Sequence, residues 1–465
     1  MKHITIENIV AVTKGKLIAT GSTASALQGK VATSVVIDSR KVEQNSLFVP
    51  IKGENVDGND YILDAFEKGA IAAFTDTKLF TPPEGKYLIY VDNVKTALLA
   101  LGRYYKNMFD IPFVAITGSV GKTTTKDMIA SVVKQKYNTL ATEGNYNNDL
   151  GVPLTLFRLK DYHEVAIIEM GMNHSGEIRK LVEIVEPSIS VISNVGVAHI
   201  EFLGSRENIL FAKCEIFAYM KATDLAICNL DDDMLIKLEG KTKFPIEWFS
   251  TKQETDVYAT DIVISSMTKT KCTVHTKEGD IDLVIPMAGE HMVSNALAAV
   301  SVGLALDVPL EDIKIGIESF ELSKNRLDLI DLPKNITLLN DSYNANPVSM
   351  KASIDILSEA KNRTVAVLGY MGELGSFAPK MHEEVGEYLV KKGVDCCYYV
   401  GACGEDISSG AKKNDMENFY AFDSKEALWE ALSKDIKEND TILVKGSRSM
   451  ALETVVEKIV KQCKE

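Results

Sequence analysis

Phe113-Val-Ala-Ile-Thr-Gly-Ser-Val-Gly-Lys-Thr-Thr-Thr125 reads as a strand, a glycine-bearing turn and the entry to a helix in direct succession. Phe113 to Ile116 is an apolar run without alternation, as a strand covered on both faces requires. The helical pattern then runs from Thr124 to Lys136. Further strands are expected at Val165-Ala-Ile-Ile168 and Ile189-Ser-Val-Ile192, with amphipathic helices between them. Strand and helix alternating at this spacing predict right-handed βαβ units and a parallel sheet with helices on both faces. Residues 257–286 change to a period of two, which predicts an antiparallel excursion, and Asn295 to Leu306 is an apolar helix.

The same alternation extends in both directions. Upstream, Ser34-Val-Val-Ile37, Ser46-Leu-Phe-Val49 and Ala70 to Phe74 read as strands, and Tyr61 to Gly69 as a helix closed by its glycine. Downstream, a unit starting near Ser323 has strands at Thr337-Leu-Leu-Asn340, Thr364 to Leu368, Cys397-Tyr-Tyr-Val400 and Thr441-Ile-Leu-Val444. The 465 residues, at about 150 per domain, allow roughly three domains. The expectation is an α/β protein with a small N-terminal α/β domain at 1–108. A central parallel-sheet domain with a phosphate loop at 109–321 and a Rossmann-like C-terminal domain at 322–465 follow.

Composition narrows the function. Lys and Arg number 51 against 65 Asp and Glu, so the formal charge is −14. That argues against wrapping nucleic acid but leaves room for a small anionic ligand in a locally positive pocket. The seven cysteines are odd in number and form no C-x-x-C pair, which fits a reducing cytosol better than a disulfide framework. No secretory leader and no apolar run of about 18 residues is visible, so a cytoplasmic chain without membrane insertion is expected.

The chemistry centres on Gly118-Ser-Val-Gly-Lys-Thr-Thr124. Between a strand and a helix, backbone N–H groups of such a turn cradle phosphate oxygens. Lys122 would reach the outer phosphates, and the Thr123 hydroxyl would sit on Mg2+. The stricter phosphate-loop pattern wants a glycine where Ile116 stands. Glu169 ends an apolar strand, where ligands of open parallel sheets bind, and a carboxylate there can hold Mg2+ beside the loop. Read alone, His199 in Ser193-Asn-Val-Gly-Val-Ala-His199 is a structural histidine, and Lys213 is an ordinary surface lysine on a helix. Asp38 with Arg40 could be a surface turn with an ion pair. Asn147, Asn148, Asn344 and Asn346 are ordinary turn residues, and Lys445 and Arg448 could be helix-entry charges.

Taken in order, the phosphate loop, the strand-end Glu169, Ala198-His199 and Ala212-Lys-Cys-Glu215 resemble the ATP-dependent Mur ligase family. Asp38-Ser-Arg40, Leu47-Phe-Val-Pro-Ile-Lys-Gly-Glu54 and Asp57-Gly58 resemble its uridine-nucleotide-binding domain. Gly144-Asn-Tyr-Asn-Asn148 resembles a substrate loop, and Gly289-Glu-His-Met-Val-Ser-Asn295 an adenine-side motif. Asn340-Asp-Ser-Tyr-Asn-Ala-Asn-Pro347, Val367-Leu-Gly369, Glu373-Leu-Gly375, His382 and Lys445-Gly-Ser-Arg-Ser-Met450 resemble the member that acts last in the cytoplasm. That resemblance implies an ADP- and phosphate-forming ligase. It would join D-alanyl-D-alanine to UDP-N-acetylmuramoyl-tripeptide through an acyl phosphate, for cell-wall peptidoglycan, and act as a monomer.

The resemblance also implies roles. ATP would lie on Gly118, Ser119, Val120, Gly121, Lys122, Thr123 and Thr124, with Asn295 at adenine and Arg326 and Asp341 at phosphate and ribose. Two Mg2+ ions would take Thr123, Glu169, His199 and Lys213, the last as a CO2-derived carbamate. Asp38, Ser39, Arg40, Asp57, Gly58, Asn145, Asn147, Asn148, Tyr343, Asn344 and Asn346 would bind the peptide substrates. The C-terminal domain would close over ATP. Met292 and Tyr370 depart from the family pattern, which commonly has an asparagine and an acidic residue there. Another amino-acid-adding ligase of this family, a folylpolyglutamate synthetase and a phosphate-loop NTPase switch remain the alternatives at this point.

Overall fold

The computed structural model describes all residues except 21–26, 28, 78 and 322–324. The expected start of the third unit, at 322 and Ser323, lies outside the described residues. Three main sheets take their strands from residues 16–90, 113–285 and 328–445, and Ile4–Thr5 pairs with Val31–Ala32 in a small separate ribbon.

The central sheet has nine strands. From one edge they are Gly279–Ile285, Lys269–Thr276, Val257–Ser266, Ile246–Ser250, Leu225–Asn229, Ile189–Ile192, Phe113–Thr117, Val165–Glu169 and Thr139–Ala141. The run from Val257 to Ala141 in this order is parallel, and the two edge hairpins are antiparallel, as the change of period predicts. Every residue of Phe113–Thr117 and Val165–Glu169 is buried, which explains their unbroken apolar runs. One face is covered by the helices Lys122–Val133, Glu290–Ala305 and Leu310–Glu318.

The third sheet orders Asp328–Leu332, Ile336–Asp341, Thr441–Lys445, Thr364–Gly369, Cys396–Val400 and Phe419–Phe422. Only its first strand is antiparallel, an edge that the apolar pattern does not announce because its side chains are mostly half exposed. The N-terminal sheet orders Lys16–Ala19, Tyr87–Tyr90, Ala72–Thr75, Ser46–Phe48 and Ser34–Val36, parallel apart from the first pair. Its helix Val94–Lys106 packs on Gly151–Leu156 and Glu177–Val185 of the central unit, fastening the two together.

Boundary shifts have local causes. The phosphate-loop helix starts at Lys122 rather than Thr124 because Gly121, at φ +76°, turns the chain into it. Lys122 and Thr123 therefore occupy its first turn. The adenine-side helix starts at Glu290, five residues before the expected Asn295, which puts that whole motif on helix.

In the third unit, Ala378–Lys391 and Gly404–Lys412 cross with backbones in contact. A Cβ on Gly386 would stand 2.1 Å from the Ile407 carbonyl oxygen, and one on Gly410 would stand 2.0 Å from that of Glu383. Gly410→Ala is expected to lower stability by about 1–3 kcal/mol, the usual range for overpacking. A urea-unfolding midpoint unchanged from wild type would count against so tight a crossing.

Candidate functional site

The parallel strands of the central and third sheets end on a shared cleft of about 760 Å³. It is lined by Ser119 to Thr124, Asn145, Asn147, Asn148, Glu169, His199, Asn295, Arg326, Asp341, Tyr343, Asn344 and Asn346. Most of the site residues expected from sequence are thus brought together. Gly118 lies in the loop's backbone, where a Cβ would come within 2.1 Å of Ser193 Oγ and force that hydroxyl to turn away.

The phosphate loop is held by a residue that sequence reasoning passed over. Asn194 Oδ1 accepts from the amides of Ser119 (3.1 Å) and Val120 (2.9 Å), and its Nδ2 donates to the Val120 carbonyl at 2.9 Å. Those two amides are therefore engaged, and the anion-seeking end of the loop is the start of the helix. There Thr125 N closes the first turn on the Gly121 carbonyl. Lys122 Nζ donates to the Gly118 carbonyl at 2.8 Å. Desolvation, opposed by Glu169 and reinforced by Arg326, lowers its pKa.

Glu169 is buried, and its Oε1 accepts from Asn147 Nδ2 at 2.8 Å. Its Oε2 has no hydrogen-bond partner in the structure. A buried carboxylate oxygen left bare at the edge of a cleft fits a cation ligand. Among the described residues no three His, Cys, Asp or Glu side chains converge as a ready-made metal cluster. His199 sits at φ +64°, ahead of the short helix Ile200–Leu203, with Nδ1 2.6 Å from Glu373 Oε2 of the third unit. That ring, and Lys122 beyond it, hold the Glu373 carboxyl below its ordinary value against the effect of burial.

Lys213 is no surface lysine. It is 1% exposed on the helix Arg206–Cys214, is not among the residues that line the cleft, and its pKa is pushed well down by burial and then by the charge of Lys122. The amine is therefore held toward its neutral form. Asp232, which opposes that shift, accepts from the Val195, Met234 and Leu235 amides.

From the third sheet, Asp341 accepts from Ser353 Oγ at 2.7 Å and pairs with Lys445, whose Nζ also donates to the Asn344 carbonyl at 3.0 Å. The Arg326 guanidinium lies 4.1 Å from the Tyr343 ring centre. Lys445, Arg448, Glu373 and His291 line the cleft too. They lacked a signal of their own, because a lone cation or histidine beside a glycine or a turn has many ordinary explanations.

Some asparagines have structural partners as well. Asn148 accepts from Leu150 N and Gly151 N, and Asn346 caps the helix Pro347–Ser358 in a capping box with Ser349. Asn295 Oδ1 accepts from Thr125 Oγ1 at 2.9 Å, while its Nδ2 points at the Met292 sulfur, 3.7 Å away. The departure at Met292 thus leaves Asn295 a weak acceptor. Tyr370 stacks on buried His382, ring centres 5.2 Å apart, and does not line the cleft.

The remaining expected residues lie elsewhere. Asp38, Ser39, Arg40, Asp57 and Gly58 follow the adjacent parallel strands Ser34–Val36 and Ser46–Phe48 of the N-terminal sheet, outside the cleft. Asp38 accepts from Arg40 Nε (2.9 Å) and Nη2 (2.8 Å), and that pairing holds its pKa down at about 2. Gly58 is required by close approach, since a Cβ would stand 2.5 Å from Ile51 N.

Comparison with known proteins gives three family matches. They are the Mur ligase family catalytic domain at residues 31–103, the Mur ligase middle domain at 116–303 and the Mur ligase glutamate ligase domain at 325–448. A UDP-N-acetylmuramoyl-tripeptide–D-alanyl-D-alanine ligase from Bacillus subtilis is 34% identical over 98% of both chains. The Escherichia coli protein of that name is 36% identical over 92% of this chain and 94% of its own. Among solved structures, MurF from Acinetobacter baumannii superposes with a TM-score of 0.91 at 31% identity, over 99% of each chain. A MurF ligase from Thermotoga maritima in complex with ADP gives 0.81 at 27% identity, over 92% of this chain and 97% of that one.

Lys445→Met removes the cation from a buried pair and leaves Asp341 with Ser353 alone. A loss of about 3–5 kcal/mol in chemical denaturation is expected, partly recovered by adding Asp341→Asn. Equal stability of the single and double variants would show that the pair is not coupled.

Proposed function

The chain belongs to the Mur ligase family, and from that premise and the geometry of its cleft we infer how it works. It is an ATP-dependent ligase that joins D-alanyl-D-alanine to UDP-N-acetylmuramoyl-tripeptide in peptidoglycan precursor synthesis. One observation carries this reading. The phosphate loop and a bare buried carboxylate of the central sheet face Arg326 and Asp341 of the third unit across one cleft.

A carboxylate and an amine do not condense in water, so the acid must first be activated. The terminal carboxylate of the tripeptide attacks the γ-phosphorus of ATP, ADP leaves, and an acyl phosphate results. The amine of the dipeptide then adds to the acyl carbon, and phosphate leaves from the tetrahedral intermediate. Two anions meet in the first step, so this chain's work is positioning and charge neutralisation. Lys122 and the amides at the start of its helix take the phosphates, with Arg326 approaching from just ahead of the strand Asp328–Leu332. Asn295 and Asp341 take adenine and ribose, and Thr125 and Lys445 fix their orientation.

Thr123, Glu169, His199 and a carbamate on Lys213 would hold two Mg2+ ions, which when bound neutralise phosphate charge. The bare Glu169 oxygen and the neutral-leaning Lys213 amine suit that role, because CO2 adds only to a free amine. Asn145, Asn147 and Asn148 form the wall for the acceptor end of the tripeptide, with Tyr343, Asn344 and Asn346 on the dipeptide side. Asp38, Ser39, Arg40, Asp57 and Gly58 take the uridine nucleotide on the N-terminal sheet. In this reading residues 1–108, 109–321 and 322–465 are substrate, ATP and closing domains of a cytoplasmic monomer. Among the described residues no helix is long and apolar enough to cross a membrane.

Phosphate release should require the UDP-linked tripeptide and D-alanyl-D-alanine together, with the UDP-linked pentapeptide found by mass spectrometry. Full turnover with either omitted would defeat the reading. Lys122→Ala should lower kcat by about a hundredfold or more. Removing bicarbonate and CO2 from the buffer should lower activity reversibly, and a bare Lys213 amine in the active, Mg2+-loaded enzyme would rule out the carbamate.

A further inference from the structure

Two loops of the third unit are stitched together at Asn344. They follow the adjacent parallel strands Ile336–Asp341 and Thr441–Lys445, and so leave the sheet at its carboxyl edge, where ligands of open parallel sheets bind. Lys445 Nζ donates to the Asn344 carbonyl, and the Arg448 amide donates to Asn344 Oδ1 at 3.2 Å. The second bond sets where the Arg448 side chain leaves the backbone. Its guanidinium lies 6.0 Å from the Tyr343 ring centre, on the cleft.

What the guanidinium offers follows from its one ion pair. Nη1 donates to Glu453 Oε1 at 2.8 Å, and Nε and Nη2 donate to none of the described residues. Those two N–H groups form one edge of the planar fork, which matches the two oxygens of a carboxylate. The neighbouring cations are committed elsewhere. Lys445 is buried and paired with Asp341, and Arg326 lies near enough to Lys122 for its charge to bear on the lysine, which puts it with the phosphates. Arg448 has its side chain 59% exposed beside Asn344, on the dipeptide side.

We propose that Arg448 binds the carboxylate of the incoming dipeptide through Nε and Nη2. This rests on the ligase reading, which makes D-alanyl-D-alanine the substrate. The amine is neutral when it acts as nucleophile, so the charge by which the dipeptide is gripped is the carboxylate at its other end. An ion pair there points the amine away from Arg448, toward the acyl phosphate. An extended dipeptide spans about 7 Å and a single amino acid about half of that, so a fixed anchor for the carboxylate also selects by length.

The test compares D-alanyl-D-alanine with D-alanyl-D-alaninamide, which keeps the nucleophile and lacks the carboxylate. The full chain is assayed with ATP, Mg2+ and UDP-N-acetylmuramoyl-tripeptide. In the wild type, kcat/KM for the acid should exceed that for the amide by about ten- to a hundredfold, the range of hydrogen bonds to charged groups. In Arg448→Met, KM for the dipeptide should rise by a similar factor and the preference for the acid should vanish, while KM for ATP stays within about twofold. Arg448→Lys keeps the charge without the fork and should recover part of the preference. The exposed side chain lets both variants keep the fold, which thermal unfolding checks. A wild type that uses the amide as well as the acid, or an Arg448→Met enzyme that retains the preference, overturns the proposal. So does a KM for ATP that rises as far as that for the dipeptide, since the arginine would then serve a phosphate. Failure of the ligase reading looks different: the wild type would form no UDP-linked pentapeptide, and the proposal would fall with it.

Discussion

Lys122 and Lys213 lie close enough for the first charge to depress the second, and burial disfavours both. With Lys213 held toward its neutral amine, the positive potential comes from Lys122 and Arg326. Glu169 and Glu373 counter the charge of Lys122, and Asp232 opposes the downward shift of Lys213. What the protein does not neutralise, an anionic ligand can. A nucleotide polyphosphate brings negative charge to the point where the fold has left it wanting, despite a chain that is acidic overall.

Around this centre the precision comes from uncharged braces. Asn147 aims one oxygen of Glu169 and leaves the other bare, and Asn194 holds the phosphate loop against the end of the neighbouring strand. On the opposite wall, Lys445 and Ser353 fix Asp341. Side chains held in this manner meet a ligand with little rearrangement, which suits a reaction governed by positioning. The two walls come from different sheets, and their carboxyl strand ends meet because the loop at Glu373 seats on the helix after His199.

The sheets were legible because fully buried parallel strands write themselves as unbroken apolar runs, such as Val165–Glu169 and Thr364–Gly369. The antiparallel edge Asp328–Leu332 was not, since half-exposed residues leave no such run. Within the site, glycine-lysine-threonine after a strand has few innocent explanations, and Lys122 and Thr123 stood out. Asn194 and Lys445 did not, because their meaning lies in partners 74 and 104 residues away. Lys213 was legible only through the family pattern. Helical periodicity reports apolar burial, and a lysine on the buried face contradicts the rule by which that face is found. Asn148 makes a turn ahead of the helix Gly151–Leu156, as its composition suggests, and Asn346 caps the helix Pro347–Ser358.

The Asn194 clasp bears on how nucleotide binding is driven. A glycine-bearing loop in free solution would lose considerable conformational entropy on folding around a phosphate. Here much of that loss is already incurred in folding, because both amides of the Ser119–Val120 segment are tied to one side chain. The ligand then meets a preformed cradle and does not have to create one. Its affinity comes with little loop ordering, so the binding entropy reports mainly on water leaving the cleft.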